Sequence, residues 1–151
     1  GTLQPRKNVP ALIDAYAKIK NQRLDFLHKL SSKLVKEHSA IFVGNVNAKS
    51  LSKTTLAKSV QDAAWSSFRT MLRYKCENAK VLFEIVNEKY STVTCSCCSC
   101  IGDSSPKGRT GLRIREWSCL HCGTVHDRDI NAAKNILALG HGRLVEGIPL
   151  L

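Results

Sequence analysis

From Pro10 to about Lys36, Leu12, Ile13, Tyr16, Ile19, Leu24, Phe26, Leu27, Leu30 and Leu34 recur mostly three or four positions apart. That spacing lines one face of an α-helix and predicts a long amphipathic helix, with Pro10 suited to its first turn. Ala40 to Val46, AIFVGNV, is short and rich in β-formers, which predicts a strand, and NAKSLSKTT after it reads as a polar loop. A helical stripe returns from about Leu56 to Cys76 through Val60, Ala64, Phe68 and Leu72, with Trp65 and Met71 beside it. Lys80 to Asn87, KVLFEIVN, is a second predicted strand, and a helix between two strands sets them side by side in a β-α-β crossover. Asp129 to Gly140, DINAAKNILALG, predicts a last helix closed by Gly140, and HGRLVEGIPLL after it has no period and reads as coil. There is no internal repeat. The order describes an α/β domain with a small loop-rich module set into it.

Composition changes this picture little, but charge narrows the partners. A chain of 151 residues, 43% hydrophobic, suffices for one ordinary core. Its 23 Lys and Arg outweigh 12 Asp and Glu to give +11, a balance that suits a polyanion such as nucleic acid. Nine of these bases fall in residues 1–50 against three acids, Asp14, Asp25 and Glu37. No apolar run approaches the roughly 18 residues a membrane span needs, and GTLQPRKNVP lacks the apolar centre of a signal peptide. The expectation is a cytoplasmic protein with no membrane partner, in which thiols stay reduced and clustered C-x-x-C pairs hold metal rather than form disulfides.

Four of the seven cysteines lie within STVTCSCCSC, which offers two overlapping C-x-x-C pairs, Cys95 with Cys98 and Cys97 with Cys100. A further pair, Cys119 and Cys122, follows Cys98 after a spacer of 20 residues. Two such pairs at this separation match a four-thiolate zinc ribbon, each pair forming a turn that presents two sulfurs. Spacing alone leaves the first pair open. The spacer holds Lys107, Arg109, Arg113 and Arg115, which are candidate phosphate contacts, and the alternation of LRIREW predicts a hairpin arm with Arg113 and Arg115 on one face.

YSTVTCSCC, followed by REWSCLHCGTVHDRDINAAKNILALG, resembles the C-terminal signature of the TnpB (OrfB-type) transposon proteins, RNA-guided nucleases related to the type V CRISPR effectors. The resemblance covers nearly the whole chain: NQRLDFLHKLSSKLV is similar to the helix before the second RuvC motif, IFVGNVN occupies that motif, and AKSVQDAAWSSFRTMLRYKCE is similar to the helix after it. It implies a partial RuvC/RNase H-like α/β fold with an inserted four-cysteine zinc ribbon. The implied limits are a RuvC-like segment over 1–92, the ribbon over 93–126, and the last motif, helix and tail over 127–151. It also implies the ligand set Cys95, Cys98, Cys119 and Cys122, with Cys97 and Cys100 as bystanders, although the family's usual glycine after the second ligand is Ser99 here.

A RuvC-type nuclease cuts phosphodiesters with two divalent ions such as Mg²⁺ or Mn²⁺ held by converging carboxylates. By the same resemblance Asp129 is the third-motif aspartate, a residue that by position alone also reads as a helix N-cap. The second motif departs from the family, because Gly44 stands where relatives carry glutamate. Glu88, at the end of the neighbouring predicted strand, is the candidate for a relocated carboxylate, with Glu84 behind it. The first-motif aspartate has no counterpart, since Gly1 to Val9 contains no acid, so the chain alone is expected to be inactive. The reading is the C-terminal part of a TnpB-like protein that binds DNA, with guide RNA in the full-length parent, and supplies part of a nuclease site. The alternative is a zinc-ribbon module that binds nucleic acid without catalysis.

Overall fold

The structure is a computed structural model that describes residues 9–45, 57–108 and 110–145. Its order is α1 (Val9–Glu37), β1 (Ala40–Gly44), α2 (Ala57–Ala79), β2 (Leu82–Val86), a 3₁₀ turn (Thr110–Arg113), β3 (Glu116–Ser118), β4 (Val125–Asp127) and α3 (Arg128–Val145). Residues 9–41 with 57–82 form one compact unit, and 42–45 with 83–108 and 110–145 form a second. Among the described residues no helix is long and apolar enough to cross a membrane.

The first unit is a helix pair in which α1 packs against α2. The buried positions of α1 are Ser31 and Val35. Ser31 is tolerated there because its hydroxyl donates to Leu27 O at 2.7 Å. The Lys75 ammonium on α2 donates to His28 O, Ser31 Oγ and Ser32 Oγ at 2.8, 2.7 and 2.8 Å, so three acceptors of α1 hold one cation of α2. Leu72, Met71 and Cys76 bury the same stretch of α2. Lys80 ends α2 in the left-handed region at φ 59°. The bonds Lys80 N–H to Glu77 O and Val81 N–H to Cys76 O close a Schellman turn, which satisfies carbonyls left over at the helix end.

β1 and β2 form a two-stranded sheet. Leu82 N–H donates to Ser39 O at one end and Asn45 N–H to Val86 O at the other, so both chains advance in the same direction and the pair is parallel, as the β-α-β order requires. The second sheet, β3 with β4, is antiparallel with Glu116 opposite Asp127, Trp117 opposite His126 and Ser118 opposite Val125.

Two expectations are corrected. The predicted arm LRIREW is a strand only over Glu116–Ser118, and Arg113 belongs to the 3₁₀ turn instead. Gly111 explains the break: a Cβ there would meet the Pro106 backbone, with Pro106 Cα at 3.0 Å, so the chain doubles back instead of extending. Gly140 does not close the last helix, which runs on to Val145. Its missing side chain serves a close approach, since a Cβ there would land on the Phe42 ring of β1, and His141 meets that ring edge-on with centroids 5.3 Å apart. Residues 146–151 and Arg109 lie outside the described residues.

Candidate metal centre and carboxylate site

Each half of the cysteine module is built by the same backbone turn. In the first, Ser99 N–H donates to Cys95 O at 2.8 Å and Cys95 N–H to Cys100 O at 2.9 Å. In the second, Gly123 N–H donates to Cys119 O at 2.8 Å and Cys119 N–H to Thr124 O at 2.9 Å. The residue after each second cysteine is left-handed, Ser99 at φ 60° and Gly123 at φ 72°. Ser99 therefore adopts the conformation that glycine adopts more cheaply, at a cost of about 1 kcal/mol. The equivalence maps Cys95 onto Cys119 and Cys98 onto Cys122.

The sulfurs of Cys95, Cys98, Cys119 and Cys122 lie within 4.8 Å of one another and form a group able to hold a metal ion. Across the two turns Cys95 Sγ is 3.6 Å from Cys122 Sγ, and Cys98 Sγ is 3.7 Å from Cys119 Sγ. A tetrahedral thiolate centre with metal–sulfur bonds of about 2.3 Å has sulfurs about 3.8 Å apart, so the donor set fits one ion with little movement. The Thr124 hydroxyl, 3.3 Å from the Cys122 sulfur, and the Thr124 backbone N–H hold that thiol down to about 6. Burial pushes Cys95 the other way. Thiolates are the metal-binding form, and Cys122 is poised to supply one near neutrality.

Sequence reasoning missed His126. It is buried, its Nε2 is 3.0 Å from Cys95 Sγ, and its ring tilts against Trp117 at 4.9 Å. The available signal was the period of two in VHD, which turns His126 inward opposite Trp117. Asn131 and Asn135 lock the first turn to α3. Both Nδ2 groups donate to Ser91 O and Thr94 O, at 2.8 to 3.2 Å, and Asn131 Oδ1 accepts from Ser96 N–H at 2.9 Å.

The cap of α3 is Asp127, whose Oδ1 accepts from Asp129 N–H and Ile130 N–H at 2.9 Å each. The Asp129 carboxylate is thereby left for other work and meets Arg115 NH1 at 2.7 Å. Arg128 N–H donates to Arg115 O at 2.7 Å, extending the β3–β4 ladder by one pair, which is how Arg115 arrives beside Asp129. Arg115 is thus an ion-pair partner of a candidate catalytic acid. Arg113 is exposed, and Lys107 is exposed 4.0 Å from Asp103.

β2 stops at Val86, and Glu88 follows on a turn where its N–H donates to Asn45 Oδ1 at 3.2 Å. Its side chain folds over Gly44. A Cβ built on Gly44 would collide with the Glu88 carboxylate, with Glu88 Cδ at 2.9 Å and Cβ at 3.0 Å. Burial raises the Glu88 pKa. Glu84 remains within β2, so the period of two that would align it with Glu88 ends before Glu88 is reached. Among the described residues, no three carboxylates gather into a metal-sized group.

Residues 65–136 match the family model described as Cas12f1-like, TNB domain. A Streptomyces pristinaespiralis protein provisionally named an RNA-guided DNA endonuclease is 37% identical over 142 residues, covering 93% of this chain and 34% of that protein. A TnpB-like protein of Acanthamoeba polyphaga mimivirus is 36% identical over 132 residues, covering 83% of this chain and 24% of its own. The chain therefore spans about a third or less of these relatives. Among solved structures, a chain from a Cas12f1–sgRNA–target DNA complex superposes with a TM-score of 0.65 over 85% of this chain and 37% of that one, at 14% identity, a likeness of fold. The family model and the relatives' sequence identity, with a fold like that of the solved structure, together support the TnpB family for this chain.

Proposed function

We propose that this chain is the C-terminal part of a transposon-encoded TnpB-like protein, in which a partial RuvC-like α/β segment (1–92 and 127–151) carries a zinc ribbon over 93–126. Cys95, Cys98, Cys119 and Cys122 hold one structural Zn²⁺, a d¹⁰ ion suited to four thiolates in a tetrahedron. The hydrophobic cluster of the module is Cys95, Trp117 and Cys119 with Cys98 packed against it, too small a core to hold it alone, so the metal serves as its staple. The basic chain binds DNA, with guide RNA in the full-length parent, through phosphate contacts that include Lys107, Arg109 and Arg113.

Asp129 and Glu88 are the carboxylates this chain contributes to a two-metal site, where Mg²⁺ or Mn²⁺ would activate water and stabilise the leaving oxygen. The observation that carries this reading is the seat of Glu88 over Gly44: the carboxylate occupies the volume that a longer residue at 44 would fill. The test is residue-specific broadening by Mn²⁺ in NMR spectra. Broadening of both Glu88 and Asp129 is expected, and broadening that reaches Asp129 alone would defeat the relocation. The ion pair of Arg115 with Asp129 favours the second reading, a zinc-ribbon module without catalysis, which predicts broadening at neither acid.

A further inference from the structure

We propose a second thiophilic metal site on Cys98, Cys100 and His121, directly beside the four-cysteine centre and sharing the Cys98 thiolate as a bridge. The inference rests on the four-thiolate reading above and adds to it. The Cys98 sulfur, the Cys100 sulfur and a His121 ring nitrogen lie within 4.8 Å of one another. One dication bound by sulfur at about 2.3 Å and nitrogen at about 2.0 Å draws such atoms to roughly 3.5 to 3.8 Å. His121 is exposed and Cys100 half-buried, so the remaining movement falls on side chains with room to turn.

The repeat of the two turns shows why this pair differs from the cysteines around it. Cys100 stands where Thr124 stands in the other half, as the backbone acceptor for the first cysteine of its turn. Thr124 completes its turn by placing a hydroxyl 3.3 Å from Cys122 Sγ. The Cys100 thiol makes a long polar contact, 3.5 Å to Cys98 O, and faces a histidine of the opposite turn. Cys97, equally close in sequence, is exposed and belongs to neither ligand group, so crowding of cysteines does not by itself produce a site.

Charge favours the second ion. One dication on four thiolates leaves a net charge of about 2−, and adding a second dication with one further thiolate and a neutral imidazole brings the pair to about 1−. On binding, the Cys100 thiol loses its proton to solvent, the imidazole donates a lone pair, and Cys98 shares a second one. A water completes four-coordination on the exposed side. Thiolate and imidazole together select Zn²⁺ or Cd²⁺ over Mg²⁺.

The experiment is a titration of the metal-free, reduced chain with Cd²⁺, read by the thiolate-to-metal absorption and by ¹¹³Cd NMR, in wild type, Cys100→Ser, His121→Ala and Cys97→Ser. Two equivalents with two resonances are expected for wild type and Cys97→Ser. One equivalent at the four-thiolate position is expected for the other two, with the second affinity reduced at least tenfold. A single equivalent in wild type overturns the proposal. So does loss of the first equivalent in Cys100→Ser, which would place Cys100 in the four-cysteine centre itself. Absence of any tight first equivalent in wild type marks failure of the four-thiolate reading instead, a result the resonance count separates from the others.

Discussion

The Glu88 carboxylate lies against Cα of Gly44, in the space where any other residue at 44 would begin its side chain. This ties the two positions together: residue 44 is small because residue 88 is folded over it. Gly44→Ala forces the Glu88 carboxylate to swing away and presses on Glu88 Cβ, 3.0 Å from the new methyl, which costs the fold about 1 kcal/mol, the low end for overpacking. The same change removes Glu88 from its seat. Thermal melts of Gly44→Ala are expected to stay close to wild type while Mn²⁺ broadening at Glu88 disappears. Broadening retained in the alanine variant would show that the seat does not matter.

Glu88 is held in a setting that penalises its charge, since burial raises its pKa above the ordinary 4.5. For an acid whose folded pKa is raised, the stabilising contribution is complete below the unfolded value and is lost as pH rises through the folded one. At neutral pH the ionised carboxylate therefore works against the fold. Glu88→Gln is expected to melt higher than wild type at pH 7, and the gap is expected to close as pH falls to about 4 and below. A variant less stable than wild type at pH 7 would show that the carboxylate is held by an attraction that outweighs its burial.

The helices and the parallel pair were legible because their signals are local. The stripe from Leu12 to Leu34 and the runs around Ile41 and Leu82 carry their period within the segment. Gly140 and Gly111 were misread or passed over because the reason for each lies elsewhere, in Phe42 and in Pro106, and a glycine required by close approach looks in sequence like one required by a turn. The choice of Asp127 over Asp129 as helix cap turns on two residues of register, which the pattern HDRD does not fix. His126 lacked any spacing that marks a ligand, since the sulfur it touches from β4 belongs to Cys95, 31 positions earlier in the chain.

The register of the ribbon is open to direct test. Cys95→Ser is expected to lose tight zinc and unfold the module, since structural zinc supplies on the order of 10 kcal/mol to such folds. Cys97→Ser is expected to keep it, because the Cys97 side chain is exposed and outside the sulfur group. Metal analysis after dialysis against a chelator distinguishes them. The reverse pattern, zinc retained in Cys95→Ser and lost in Cys97→Ser, would assign the other C-x-x-C pair.

Nucleic-acid binding by this chain is expected to fall steeply with salt, because its +11 charge acts on phosphates by displacing counterions. A labelled oligonucleotide titrated at about 50 and 200 mM salt should show at least a tenfold loss of affinity if four or more phosphates are neutralised. Neutralising Arg113 and Lys107 together should flatten that slope. Affinity unchanged by salt would remove the electrostatic footprint from the account.

Arg115 and Asp129 set the last expectation. Their ion pair, 2.7 Å from NH1 to Oδ2, is exposed, with 71% of the Arg115 side chain and 62% of the Asp129 side chain accessible, so its contribution to stability is at most about 1 kcal/mol. Its effect on metal binding runs through competition. A guanidinium that neutralises the carboxylate must move aside, or share it, before a dication binds with full effect. The second cation near Asp129 is Arg128, with Nε 3.9 Å from Oδ1 and NH1 engaged by Gly111 O, and it stays in place when Arg115 is removed. Arg115→Ala is therefore expected to melt within a few degrees of wild type and to bind Mn²⁺ at Asp129 severalfold more tightly, while Asp129→Asn loses that binding. Arg115→Lys keeps a charge but loses the fork that matches a carboxylate, and should fall between them. If Arg115→Ala weakens Mn²⁺ binding, the guanidinium orients Asp129 for the ion rather than competing with it.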